Sequence, residues 1–170
     1  LGRTARGVKS MNLRDGDQLV SMDVLTSELV EQLSTLDDND IDVNDDSEDN
    51  LSEGPWVLVV SSFGLGKRVP VTQFRLQKRA GMGLRAIKFR INNDVLVGLK
   101  VLGKGEEILL VTEKGVIVRT NADKISQQSR AATGVKLQKL DEGDHLAEVV
   151  LVPPEQIEDD NIDQININNQ

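Results

Sequence analysis

Two kinds of marker recur in this chain at one spacing. Gly64 and Gly115 are 51 residues apart, and so are Gly83 and Gly134. The first pair lies in segments that align without gaps, residues 56–74 (WVLVVSSFGLGKRVPVTQF) on 107–125 (EILLVTEKGVIVRTNADKI). The second pair closes a motif with Arg four residues before Gly, Arg79 to Gly83 and Arg130 to Gly134. A third copy, Arg3 to Gly7, stands 76 residues before Gly83, which is one period plus an insertion of 25. After each motif glycine an Asp follows ten or eleven residues later: Asp17, Asp94 and Asp144. A period near fifty residues belongs to blade or solenoid arrays, whose units bury their apolar faces against one another rather than around a single core.

Within each period the residues read as strands. Trp56 to Val60 is a continuous apolar run, residues 61–66 form a glycine-bearing turn, and Lys67-Arg68-Val69 begin a return strand that Pro70 limits. The same hairpin is expected over residues 108–120, with its turn at Glu113-Lys114-Gly115. In the first copy Val8, Leu13, Leu19, Met22 and Val24 are strand-like positions around an Asp15-Gly16-Asp17 turn, so residues 1–26 read as a half unit lacking its first hairpin. A start at Leu1 in mid-repeat suggests a fragment. Leu29, Val30, Leu33 and Leu36 have helical spacing after Ser27, a candidate cap. The expected organisation is all-β: a partial blade at 1–26, an acidic insertion at 27–53, blades at 54–103 and 104–153, and an acidic disordered tail at 154–170. Three Phe, one Trp, no Tyr and 38% apolar content are too few for a large self-sufficient core. An open array with two fuller repeats is therefore expected to be marginal alone or to associate through unpaired strand edges.

The formal net charge of -8 conceals a segregation. Residues 28–53 hold eleven acidic side chains and residues 155–170 hold five, with no Lys or Arg in either stretch. The repeats thus keep twelve acidic against all twenty basic residues, the electrostatic footprint of a polyanion binder. The tethered acidic segments are expected to compete for the same cations at high effective concentration. Residues 37–53 carry too much like charge and too little apolar surface to order themselves. The alternating carboxylates there lack the glycine and flanking helices of a calcium loop.

Basic residues are densest at 77–90, QKRAGMGLRAIKFR. Glycines at 81 and 83 permit positive φ and close approach of backbone amides to an anion. Beyond them Leu84, Ala86, Ile87 and Phe89 mix with Arg85, Lys88 and Arg90, which predicts a strand with one basic and one buried face. Such an array suits the evenly spaced phosphates of a duplex and carries no base code. Few aromatics argue against single strands, where stacking supplies much of the affinity. Gly64-Leu65-Gly66-Lys67 lacks the spacing of a nucleotide loop, and with no Cys and the single His145, expected on a surface turn, no metal or triad constellation assembles. No Tyr is available to link DNA covalently. The absence of Cys also fits a reducing compartment.

These residues resemble a known family. The hairpin Gly64-x-Gly66-Lys67-Arg68-x-Pro70-Val71-x-x-Phe74-Arg75-Leu76, the loop at 77–83, the strand Ile108-Leu109-Leu110-Val111-Thr112 with Gly115 and Arg119-Thr120, and Ile125-Ser126 through Arg130, Gly134-Val135 and Gly143-Asp144 are similar to the C-terminal domain of the DNA gyrase A protein, with the corresponding domain of topoisomerase IV as nearest competitor. The resemblance covers roughly 120 residues in register with the repeat. It implies a β-pinwheel of blades, here partial, whose basic rim binds and wraps double-stranded DNA and supports ATP-dependent negative supercoiling by the whole enzyme. The family's Q-[KR]-R-G-G-[KR]-G box is approached by Gln77, Lys78, Arg79, Gly81 and Gly83, while Ala80 and Met82 depart from it, as a degenerate copy in a late blade would. The expected DNA contacts are Lys67, Arg68, Arg75, Gln77, Lys78, Arg79, Arg85, Lys88, Arg90, Arg119, Arg130 and Lys136. On this reading the segment is no enzyme on its own and holds no cofactor or metal; ATP, magnesium and the cleavage tyrosine belong to the whole topoisomerase. Its partners would be duplex DNA, the rest of the gyrase A protein, and the gyrase B protein in an A2B2 complex, with no membrane. The location would be bacterial cytoplasm, or plastid or mitochondrion for a plant chain. The competing reading is a basic repeat scaffold for an acidic protein partner.

Overall fold

The structure, a computed structural model, describes residues 3–34 and 54–152. The expected disorder at 37–53 and 154–170 lies outside those residues. Among the described residues the fold is all-β apart from one short α-helix, and the described sheets do not close into a ring.

The first repeat opens with β1 (Trp56–Ser61), a run buried at five of its six positions, as a strand covered on both faces must be. A turn whose positive-φ residue is Gly64 returns the chain as β2 (Leu65–Pro70), and Val57 pairs with Val69 in antiparallel register. Pro70 sits at the strand's end, followed by a single 3-10 turn at Val71–Gln73. After a long excursion β3 (Leu96–Leu102) pairs with the other edge of β1, and the register shifts at Val60/Ser61. The second repeat repeats this plan. Its strands β4 (Glu107–Thr112) and β5 (Ile117–Asn121) form the hairpin, a 3-10 turn follows at Ala122–Lys124, and β7 (Leu146–Val152) pairs with β4 with a register shift at Val111/Thr112, one period beyond the first.

The two repeats are joined by strand exchange. β6 (Val135–Lys136), which follows the motif glycine of the second repeat, pairs with β2 of the first, giving sheet orders β3-β1-β2-β6 and β5-β4-β7. Gly134, at φ +93, permits the approach: a Cβ there would stand 2.7 Å from the Gly66 carbonyl oxygen. The sheets also pack through β3 and β7, where a Cβ on Gly98 would be 2.8 Å from Val149 Cγ1. One core results, with Leu58, Val60 and Leu102 from the first repeat and Ile108, Leu110, Ala122, Ile125, Leu146 and Val149 from the second. A smaller cluster of Val59, Val69 and Ile87 lies on the other face of the first sheet. Neither repeat could bury these side chains by itself.

Two sequence expectations change. Residues 3–26 form no strand beyond an isolated parallel bridge, Met11 to Gly81, and Val8, Leu13, Leu19, Met22 and Val24 are 47–78% exposed. No hairpin stands within this segment for them to pack on. It attaches instead through polar groups: Ser21 Oγ donates to the Leu99 carbonyl at 3.2 Å, and Val101 N donates to Asp23 Oδ2 at 2.8 Å. The helix α1 (Ser27–Ser34) forms, but its cap is Thr26 rather than Ser27; Leu29 N donates to Thr26 Oγ1 and Val30 N to the Thr26 carbonyl. Leu36 of the expected pattern lies outside the described residues.

Candidate functional site

The basic stretch is an irregular exposed arm, not the two-faced strand that its alternation predicts. Adjacent apolar residues Ala86 and Ile87 break the period of two; Ile87 is buried on Val59 and Val69, whereas Phe89 is 41% exposed. The arm is tied down where Lys88 N donates to the Ala132 carbonyl at 3.1 Å. Ahead of it, the loop at 77–83 turns through positive φ at Ala80 (59°) and Gly83 (76°). Ala80 therefore occupies the conformation that glycine holds at lowest cost. Residues from the first copy brace this loop: Ala80 N donates to the Ser10 carbonyl, and Asn12 N to the Gly81 carbonyl, both at 2.8 Å, with Asn12 Nδ2 reaching the Ala80 carbonyl.

The twelve expected contacts separate into three groups. Arg75, Gln77, Lys78, Arg79, Arg85, Lys88, Arg90 and Lys136 are exposed. Among the described residues no carboxylate lies within ion-pair distance of Lys78, Arg79, Arg85, Lys88 or Arg90. Arg119 is exposed too, but its guanidinium is paired with Glu107.

Three others are turned inward. Lys67 is fully buried, and its Nζ donates to the carbonyls of Ser129 (2.5 Å), Arg130 (2.9 Å) and Ala132 (2.7 Å), so it cannot reach a phosphate. It holds the glycine loop of the second repeat onto β2 of the first. Arg68 lies 4.4 Å over the Trp56 ring and donates to the Ile125 carbonyl and to Asp123; burial lowers its pKa, while Asp123 opposes the shift. Arg130 is half-buried, 5.8 Å from the Phe74 ring, with Nη1 on the Arg85 carbonyl at 3.1 Å; burial, and secondarily the Arg75 charge, lower its pKa.

Between the arm and the second repeat lies an open groove of about 570 Å³, walled by Lys88 and Arg90 on one side and by residues 126–129 and 131–134 on the other. A smaller cleft of about 200 Å³ lies among Ser10, Met11, Lys78, Arg79 and Gly83. The positioning residues that sequence reading left without a role are the repeated aspartates. Asp94 Oδ1 accepts from Ser62 Oγ and Phe63 N at the tip of the first hairpin, and Asp144 Oδ1 accepts from Lys114 N at the tip of the second. Their ten-to-eleven-residue spacing from the glycine was the visible signal. His145 follows Asp144 at that tip, 5.0 Å edge-on from the Phe63 ring.

Comparison with known proteins agrees on one family. The DNA gyrase C-terminal domain family, a β-propeller, matches residues 1–26, 55–102 and 106–153. The DNA gyrase A protein of Synechocystis sp. is 49% identical over 160 residues, which span 91% of this chain and 19% of that protein. Its counterpart in Staphylococcus epidermidis is 38% identical over 161 residues, covering 95% of this chain and 15% of the relative. The chain thus spans less than a fifth of these relatives. Among solved structures, a DNA gyrase A C-terminal domain superposes with a TM-score of 0.54 at 31% identity, over 59% of this chain and 34% of that one. The C-terminal domain of DNA topoisomerase IV gives 0.53 at 25% identity, over 59% and 30%.

Proposed function

The chain belongs to the DNA gyrase C-terminal domain family, and from that premise we propose that it binds duplex DNA along the exposed arm and bends it around the repeats, as part of a type II topoisomerase that introduces negative supercoils. The observation that carries this reading is the row of exposed cations Lys78, Arg79, Arg85, Lys88 and Arg90, none facing a carboxylate among the described residues. Cations without a protein counter-ion are available to phosphates, and neutralising phosphates releases counterions. Arg75 and Lys136 are exposed as well. Lys67, Arg68 and Arg130 shape the arm's support instead of touching DNA. The rest of the gyrase A protein, the gyrase B protein, and the ATP and magnesium they use belong to the same proposal, with the cytoplasm as its place.

Replacing Lys78, Arg79, Arg85 and Lys88 together by Ala tests it, because all four are exposed and the fold should survive. Binding to linear duplex should weaken at every sequence, and the slope of log K against log salt should fall by about 0.9 for each phosphate no longer neutralised. An unchanged slope in a folded variant would refute the arm as the DNA site. Equal binding of an acidic protein, with little salt dependence, would favour the scaffold reading.

A further inference from the structure

The groove between the arm and the second repeat has two walls of different construction. On the arm stand Lys88 and Arg90, exposed and, among the described residues, facing no carboxylate. The facing loop, SQQSRAATG, bears no Asp or Glu, and neither does the chain anywhere from 124 to 140. β2 fixes this loop from beneath. Arg68 N donates to the Ser126 carbonyl at 3.0 Å and the Arg68 carbonyl accepts from Gln128 N at 2.9 Å, while Lys67 Nζ draws the carbonyls of Arg130 and Ala132 inward. In a trans peptide the C=O and N–H point in opposite directions, so inward carbonyls at 130 and 132 turn the amides of Ala131 and Thr133 away from Lys67. Both residues line the groove, and neither amide donates to any group of the chain among the described residues. Gln128 completes the wall. Its Oε1 accepts from Gly134 N at 3.0 Å, which sets the side-chain amide and leaves Nε2, without a partner among the described residues, as a donor for the groove.

We propose that this groove seats one phosphate group of a duplex at the junction of the two repeats, held by Lys88 and Arg90 from the arm and by Gln128 Nε2 and the amides of Ala131 and Thr133 from the second repeat. The inference rests on the duplex-binding reading of the arm and adds a fixed point to it. A row of exposed cations attracts a duplex in any register, because charge neutralisation is indifferent to where along the backbone it occurs. A phosphate that also meets oriented neutral donors is held in one place, and such contacts set the register and orientation of a protein on the duplex. Backbone amides turned the same way form a concavity suited to an anion, and the small side chains of Ala131 and Ala132 leave it open to phosphate oxygens. Lys67 is then a positioning residue: it does not touch the phosphate, but it turns the amides toward it. A duplex engaged here would tie the arm to the second repeat and cross from one repeat to the next at a defined phosphate.

Gln128→Met keeps the length of the side chain and removes the donor. In the full chain, binding to a linear duplex should weaken by about tenfold or more, as for loss of a hydrogen bond to a charged group. The slope of log K against log salt should not change, because a neutral donor releases no counterion, whereas Lys88→Ala should lower it by about 0.9. Thermal unfolding shows whether Gly134 N, deprived of its acceptor, has cost the fold. Gln128→Glu restores that acceptor and sets a carboxylate where the phosphate would lie. It should weaken binding more than Gln128→Met, and far more than Val95→Glu, which adds the same charge at an exposed position outside the groove. Native affinity in a folded Gln128→Met chain, or a Gln128→Glu chain that binds no worse than Val95→Glu, would overturn the seat. The duplex reading would survive that result if Lys78→Ala, outside the groove, still lowered affinity and slope. Native affinity and slope in both Lys78→Ala and Lys88→Ala would remove the duplex reading and the seat together.

Discussion

The loops at 77–83 and 128–134 carry the same Arg-to-Gly spacing and have different surroundings. The second is gathered under β2 of the preceding repeat: Lys67 caps three of its carbonyls, Gln128 Oε1 accepts from Gly134 N, and Gly134 lies against the Gly66 backbone. The first has no such strand against it among residues 3–34 and is braced only by Ser10 and Asn12, with its cations outward. The motif by itself therefore dictates a turn but not burial. What decides is the strand of the neighbouring repeat, and whether that strand carries Lys67 and Gly66 or, as β5 does one period later, Val118 and Ile117. The pattern extends to the hairpin bases. Trp56 and Arg68 stack, while their counterparts Glu107 and Arg119 form an exposed ion pair.

The largest effect should come from removing the clamp. Lys67→Ala leaves the carbonyls of Ser129, Arg130 and Ala132 without their charged donor, and each hydrogen bond to a charged group contributes about 1.5–3 kcal/mol, so unfolding in urea should show a loss of at least about 3 kcal/mol. Val118→Ala, at the same place one period later, removes two methyl groups from a half-buried site and should cost about 1 kcal/mol or less. Equal losses would mean that the loops differ for a reason other than the clamp.

A smaller but sharper contrast lies in the motif glycines. Both have positive φ, so an Ala at either costs about 1–2 kcal/mol for the left-handed backbone. At Gly83 the added methyl meets only Met11 Cε, at 3.5 Å. At Gly134 it would stand 2.7 Å from a backbone oxygen that cannot retreat without breaking the β2–β6 pairing. Gly134→Ala should accordingly exceed Gly83→Ala by about 1–3 kcal/mol, the cost typical of overpacking, when the two are compared by thermal or denaturant unfolding. If Gly83→Ala proved as costly, loop 77–83 would have to be packed as tightly as its twin.

Much of this architecture is legible in the sequence because gapless repetition transmits register. The hairpins, their turns and the matching shifts at Val60/Ser61 and Val111/Thr112 all follow the 51-residue period. The exchange through β6 is not legible: two residues carry no periodicity, and their partner lies about seventy positions away. Nor does the burial of Lys67 show, since an ammonium on a strand reads as solvent-facing until three carbonyls are seen to converge on it. The arm at 84–90 misleads in the opposite way. Its alternation looks like a strand, but no partner strand among the described residues is in reach to pair it, and a lone extended segment keeps only the contacts of Ile87 and Lys88. Local pattern fixed what neighbours in sequence share, and the packing between repeats settled which cations face water.

The smallest expected effect concerns pH and the tip of the second hairpin. Asp94 and Asp144 hold equivalent tips, but Asp144 is the better furnished: burial works against its charge, yet donors from Thr112, Lys114 N and His145 N, together with the Lys114 ammonium, outweigh that and hold its pKa below the usual carboxylate value. A depressed carboxylate pKa contributes stability that is full above the unfolded value, near 4, and that is lost as pH falls through the folded value. The native chain should therefore lose stability below about pH 4 in part through the second hairpin. Asp144→Asn keeps one acceptor oxygen at the tip and removes the titration. Its stability should be lower than that of the native chain at pH 7, and the gap should narrow as the medium is made more acid. A constant gap from pH 7 down to the onset of acid unfolding would show that Asp144 acts at the tip through shape alone.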